Sequence, residues 1–378
     1  MTEPAPLGLY IHWPYCARIC PYCDFNVALD RRAGEAPALA RAILDDLNAQ
    51  AAALGPRTLV SIFFGGGTPS LMDPAWAAAI IDAAKGLWPT APDLEITLEA
   101  NPTDAEADRF AAFASAGVGR LSLGVQALDD ASLKFLGRNH GADEARRAAL
   151  LAAGLFPRLS LDLIYARPGQ TEQGWADELA AALDLGPEHV SPYQLTIEAG
   201  TPFDRAVRRG AFAPADPDLA AALYETTQTV LHDAGFNAYE VSNHARGPAA
   251  RSRHNLVYWR GQDYLGVGPG AHGRLTVAGQ RVATEAARAV QDYLRRVLET
   301  GTGVAVRDTL TALEAAEERL LLGLRVDEGV PLADLAALSL TKLPELEGDG
   351  FVHVADGRLF ATTTGRPVLD RVIAELVV

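Results

Sequence analysis

The residues best suited to chemistry are the chain's three cysteines, which share one eight-residue segment, Cys16-Ala17-Arg18-Ile19-Cys20-Pro21-Tyr22-Cys23. An odd, tightly clustered set does not build a disulfide framework and points to metal. The spacing C-x3-C-x2-C leaves two chemistries open. Three thiolates on one short loop can take three corners of an iron–sulfur cube and leave the fourth iron free for a substrate. Alternatively, His12 completes a Cys3His zinc site, because structural zinc wants four closed ligands.

Further candidates stand at the ends of apolar runs. Gly65-Gly66-Gly67-Thr68-Pro69 follows one such run, and consecutive glycines let main-chain groups approach a ligand without a Cβ in the way. Glu99 and Gln126 close two others, and Asp162 interrupts a third. Each is a polar side chain in an apolar stretch, costly to bury without a partner. Together they suggest one cofactor pocket. His254 is a fourth kind of candidate: a neutral imidazole is a good axial ligand for heme iron. Tyr258 and Trp259 offer flat apolar surface for a porphyrin, and Arg251 and Arg253 offer charge for its propionates. Taken alone, the same residues read better as packing around a satisfied histidine. His272 and His244 are weaker candidates of the same type.

These residues need a scaffold. Strand-length apolar runs at 7–11, 59–64, 94–99, 120–126, 159–165 and 190–196 alternate with helical periodicity at 37–54, 74–87, 104–116, 142–153 and 172–185. That is a βα repeat with six strands, short of a closed eight-fold barrel, and predicts an open, partial (βα)6 barrel in residues 1–200. Active sites of such folds assemble at the C-terminal strand ends, where the Gly-rich segment, Glu99 and Gln126 fall. Residues 201–300 form a connecting region: a helix over 216–234, then a Gly- and aromatic-rich stretch that completes the core and carries His254. From 301 to 378 the pattern is helix, helix, hairpin, helix, with an Asp356-Gly357 turn, as in a small winged-helix domain.

The 378 residues are 49% hydrophobic and 21% charged, an ordinary globular mix. No run is long and apolar enough to span a membrane, and the first residues carry no secretory pattern, so a cytoplasmic protein is expected. The net charge of −15 argues against a nucleic-acid surface, and Glu345, Glu347 and Asp349 beside the hairpin argue against DNA binding there.

The cysteine spacing after the first strand, with the six βα units, resembles the radical S-adenosylmethionine (SAM) enzymes. In that family three cysteines hold a 4Fe–4S cluster whose open iron chelates SAM, and one electron cleaves SAM to a deoxyadenosyl radical. Longer segments narrow the resemblance. Leu9-Tyr10-Ile11-His12-Trp13-Pro14-Tyr15-Cys16, the motif from Gly65 to Ser70, Leu121-Ser122-Leu123-Gly124-Val125-Gln126 and Asp162-Leu163-Ile164-Tyr165 are similar to the group containing oxygen-independent coproporphyrinogen oxidases and HemW heme chaperones. The likeness covers nearly the whole chain. It implies cluster ligation by Cys16, Cys20 and Cys23, with Tyr10, Tyr22, Gly66 and Glu99 around the cluster-bound SAM. Gly67, Thr68, Gln126, Arg138 and Asp162 match residues that line a second SAM in the oxidases.

Departures favour the chaperone branch. The oxidases carry a further cysteine where this chain has Phe25, and an extension ahead of the strand that here holds Tyr10. His254-Asn255-Leu256-Val257-Tyr258-Trp259 fits the chaperones' HN-x-x-YW signature, and Gly266-Val267-Gly268-Pro269-Gly270-Ala271-His272 is typical of them. Ala166-Arg167 departs from the usual Gly-Leu. The resemblance therefore implies a heme chaperone with heme on His254 and apo-hemoproteins as partners, with peripheral membrane contact and a second copy of the chain as further partners. Radical decarboxylation of coproporphyrinogen III is the alternative. A radical SAM enzyme on another substrate leaves His254-Asn255 without a role, and a zinc-bound structural protein leaves Glu99 and Gln126 without one.

Overall fold

The computed structural model describes residues 4–29 and 34–377. The first three residues of the N-terminal segment lie outside them. Six strands fall where the apolar runs predict: β1 (Pro6–Trp13), β2 (Thr58–Gly66), β3 (Thr90–Ala100), β4 (Arg120–Gln126), β5 (Arg158–Tyr165) and β6 (His189–Gln194). They pair in parallel in sequence order, each crossover carrying helix. Leu9, Ile62, Leu98, Leu121, Leu161 and Val190 are fully buried in the layer between these strands and the helices outside. Asp73, with Pro74 behind it, caps the helix Pro74–Leu87 by accepting from the Ala75 amide (2.9 Å).

The sheet does not stop at six strands. β7 (Asp263–Val267) joins β1 on its free edge, also in parallel, and β8 (His272–Val277), β9 (Gln280–Ala286) and β10 (Val304–Thr309) continue antiparallel. At the other end, His244–Ala245 pairs with β6 and Asn237–Ala238 with it in turn. The sheet has twelve strands and stays open, since its two ends are different strands that do not pair. The punctuated stretch thus supplies one edge, Asn237–Ala238, and the other, Val304–Thr309, comes from beyond residue 300, so the main sheet reaches past the boundary expected there. The helix expected over 104–116 is two, Asp104–Ala107 and Phe110–Ser115. The break at Arg109 lets its guanidinium donate to the carbonyls of Ser70 (2.7 Å) and Met72, tying this segment to the loop after β2.

The C-terminal unit has its own core of Leu320, Leu324, Val330, Val352, Leu359, Val372 and Leu376. Its hairpin, β11 (Val352–Ala355) and β12 (Arg358–Ala361), turns at Asp356 (φ 51°) and Gly357 (φ 72°). Both turn residues have left-handed backbone, which an Asp-Gly pair tolerates. No helix among the described residues is long and apolar enough to cross a membrane.

Candidate functional site

Parallel strands end at one rim. There the chain leaving β1 makes a short ladder, Tyr15–Cys16 beside Ala28–Leu29, which closes the cysteine loop over the strand ends. A turn from the Cys23 amide to the Cys20 carbonyl (3.2 Å) brings these two thiols to one side. All three cysteines are half-buried free thiols, and all three line a cavity of about 460 Å³. The rest of its wall comes from the rim: Gly66, Gly67 and Thr68 after β2, Glu99 on β3, Gln126 on β4, and Asp162 on β5. Tyr22 and Arg138 line it as well. Residues up to 146 positions apart thus share one wall of a single chamber.

Arg138 is the hub. Its Nη1 donates to Cys20 Sγ (3.4 Å) and to the Tyr22 hydroxyl (3.3 Å), and its Nη2 to the Gly124 carbonyl (3.1 Å) and to Asn101 Oδ1. Burial pushes the Cys16 thiol up to about 11, offset in part by the Thr68 hydroxyl and the Arg138 charge. Burial likewise raises Cys23. A bound metal would deprotonate both.

The two carboxyls are set against their ionised forms. Burial, then the nearby Asp162, pushes Glu99 up to about 8. Burial pushes Asp162 up to about 6, although Arg120 and the hydroxyls of Ser191, Ser122 and Ser160 oppose it. Glu99 Oε2 accepts from the Gly66 amide (3.2 Å), and Ser122 Oγ donates to Asp162 Oδ2 (3.0 Å). Unfolded, Glu99 loses its proton near 4.5; folded, it keeps it to about 8. Between those values the folded chain binds more protons, so stability falls as pH rises through that window. Between pH 7 and 8.5, above the range in which the five buried histidines with lowered pKa make stability rise with pH, Tm should therefore fall, and Glu99→Gln should flatten much of the slope. An equal slope in the variant would refute this account.

Gln126 takes a left-handed backbone (φ 66°) at the end of β4, where the register to β5 shifts. Such bulges re-aim a side chain. Here the side chain reaches the cavity wall with Oε1 buried and unpartnered, a group prepared for a donor. Gly66 and Gly67 have a second reason to be glycine. A Cβ on Gly66 (φ 111°) would lie 2.7 Å from the His12 ring, and one on Gly67 would lie 2.6 Å from the Pro14 carbonyl. The close approach is to protein as well as to the cavity.

Tyr10 is the one SAM candidate outside the cavity lining. Its hydroxyl donates to His12 Nδ1 (3.0 Å), and His12 Nε2 donates to the Asn26 carbonyl (2.8 Å). Both His12 nitrogens are used within the fold, which removes the fourth ligand of the zinc alternative. Among the described residues no group of three or more His, Cys, Asp or Glu side chains converges on one point where a single metal ion such as zinc could sit.

His254 also stands elsewhere than expected. It packs against Gly8 and Ser61 in the N-terminal halves of β1 and β2 and is 1% exposed. Its Nδ1 pairs with the Ser61 hydroxyl (2.8 Å) and its Nε2 with the Tyr258 hydroxyl (2.7 Å), while its ring stacks on Phe63 at 4.9 Å. Burial, then Arg120, lowers it to about 3. Neither nitrogen is available to a heme iron in this structure. The neighbours offered for propionates are paired as well, Arg251 with Asp327 and Arg253 with Asp93. Trp259 lies under the Arg325 guanidinium (4.9 Å). His244 is buried against Gln228, and His272 is exposed beside Glu285 (4.0 Å).

Asn101, Ser122 and Tyr193 line the cavity without having been singled out from the sequence. A period-two signal for Ser122 exists: Arg120, Ser122, Gly124 and Gln126 alternate with apolar residues along β4, marking its polar face. Asn101 follows β3 with no such pattern.

The chain matches the Radical SAM superfamily over residues 10–182 and the HemN C-terminal domain over residues 310–368. It is 41% identical to radical S-adenosyl methionine domain-containing protein 1, mitochondrial, of Bos taurus, over 99% of this chain and 89% of that protein. It is 36% identical to heme chaperone HemW of Mycobacterium tuberculosis (98% and 95% covered) and 41% identical to that of Escherichia coli (82% and 81%). The coproporphyrinogen III oxidase (HemN) of Escherichia coli, a radical SAM enzyme, superposes with a TM-score of 0.82, covering 99% of this chain and 90% of that one. At 22% identity, that likeness shows a shared fold.

Proposed function

The chain belongs to the radical SAM family of the heme chaperone HemW, and from that membership we propose that it binds heme and passes it to apo-hemoproteins. The observation that carries this reading is the likeness to HemW proteins over 98% of the chain. Phe25, 66% exposed at the cavity wall, supports the chaperone over the oxidase, because the oxidases have a cysteine at that position.

The core would hold a 4Fe–4S cluster through Cys16, Cys20 and Cys23, with SAM beside it against Tyr22, Gly66 and Glu99. Thiolates are the ligands iron–sulfur clusters take. The donor set fits SAM too: Glu99 and Asp162 face the cavity as buried acids, and the SAM sulfonium and ammonium would stabilise their ionised forms. When bound, the cluster would supply one low-potential electron for cleaving a SAM carbon–sulfur bond. The chain's own residues orient and enclose. Arg138 fixes the Cys20 and Tyr22 side chains relative to Gly124, Gln126 presents Oε1 to an incoming donor, and Thr68 is held by the Asn101 amide (3.0 Å). Gly67, Gln126, Arg138 and Asp162 would contact whatever lies on the outer side of SAM.

The test is transfer. Heme-loaded protein mixed with an apo-hemoprotein should give the acceptor's Soret band faster than the same heme leaks to a scavenging apo-globin. Equal rates, or no saturable heme binding, would end the chaperone reading.

A further inference from the structure

Heme held by a chaperone needs an accessible ligand atom, and the chain's eight histidines are unequal in this respect. His12, His189 and His254 have both nitrogens in hydrogen bonds within the interior. His140 and His244 are buried, each with one nitrogen already bonded. His232, His272 and His353 are exposed. Of these three, His353 lines a cavity of ligand size.

That cavity, about 450 Å³, lies between the helix Pro217–Asp233 and the C-terminal hairpin. Small-molecule sites commonly enclose about 300–1,000 Å³. Tyr224 and Gln228, one turn apart on the helix, form one wall; His353, Thr362 and Arg366 form the other. Alternation on β11 buries Val352 and turns His353 outward. His353 is paired in register with Phe360 on β12, and the two rings stack at 4.9 Å and 8°. The stack fixes the plane of the imidazole and leaves its nitrogens without a hydrogen-bond partner among the described residues. The Tyr224 hydroxyl has no such partner either. Arg366 pairs with no carboxylate among the described residues, in a chain with 48 acidic and 33 basic residues.

A free imidazole edge, an unpaired guanidinium and the Tyr224 ring are parts an iron porphyrin requires: an axial nitrogen, a partner for a propionate and a flat contact. Resting on the chaperone reading above, we infer that heme docks between the helix Pro217–Asp233 and the C-terminal hairpin, with His353 as its iron ligand and Arg366 on a propionate. The site is separate from the cysteine cavity, so heme and the cluster can be bound at once. It is also open to solvent, as cargo meant for release requires.

Anaerobic titration of the full-length protein with ferric heme, followed at the Soret band, tests this. Wild type should saturate at one heme per chain. His353→Ala should shift the Soret maximum and weaken binding by roughly tenfold or more, a loss of at least about 1.4 kcal/mol. Arg366→Ala should weaken binding without the shift, and His353→Met should restore affinity with a different spectrum, which a merely structural residue would not do. The exposed His232→Ala serves as control and should match wild type. Saturable wild-type binding with unchanged spectra and affinities in His353→Ala and Arg366→Ala would overturn this site and leave the chaperone reading standing. No saturable binding by wild type would overturn both.

Discussion

Cys20→Ala is expected to abolish cluster loading while the fold survives. A cube bound at three corners by one short loop loses a third of its protein ligands, and no other cysteine exists to replace the missing one. The thiol itself contributes little to the fold. It is half-buried and meets the Arg138 guanidinium at 3.4 Å and the Tyr22 hydroxyl, which also hold each other, whereas the turn that shapes the loop uses the Cys20 carbonyl, which alanine keeps. Iron and sulfide analysis after anaerobic reconstitution, with the visible absorbance, should fall to background, and Tm should move by no more than a few degrees. Normal cluster content in a variant lacking all three cysteines would show that the loop is not the iron site.

Arg158→Ala should be strongly destabilising. Arg158 Nη1 meets Glu95 Oε2 at 2.5 Å, its Nε meets Glu188 Oε1 at 2.5 Å, and its Nη2 donates to the Arg251 carbonyl at 3.0 Å. The Glu95 side chain is 1% exposed and also accepts from the His254 amide at 3.1 Å. The pair therefore ties the start of the helix Arg253–Trp259 to β3 and β5. Removing the arginine strands a buried carboxylate, which costs roughly 3–5 kcal/mol. Urea unfolding would measure it. Adding Glu95→Gln should recover a large part of the loss, because the stranded charge is its main source. A loss below about 1 kcal/mol would mean water replaces the guanidinium. Cluster loading of the folded variant should be unchanged, since this pair lies away from the cysteine rim.

Much of the fold is legible because its signals are local. The period of two in β4, the caps at Asp73 and Asp216, and the Asp356-Gly357 turn each act within a few residues. The break at Arg109 escapes such reading, since helical periodicity runs through it and the competing partners, Ser70 and Met72, lie nearly forty residues earlier. β7 escapes for a related reason. It is a five-residue strand among glycines, and it is a strand because β1 offers a free edge.

The candidate site divides the same way. Cysteine spacing, the triple glycine and polar residues at apolar strand ends carry their chemistry in residue type, and parallel pairing brings them to one rim wherever such a sheet forms. His254 shows the opposite case. Its segment reads as a ligand motif, yet whether an imidazole meets solvent or a Ser61 hydroxyl depends on which faces bury each other. The cavity at His353 is the mirror of that: an ordinary outward residue of a hairpin becomes a wall only because a helix more than 120 residues earlier packs opposite it. Residue identity and short spacing are enough to read the cysteine loop, the βα order and the family from the chain alone. Tertiary structure alone decided which histidine nitrogens stay free, because burial and long-range pairing are properties of surfaces brought together, and no local pattern encodes them.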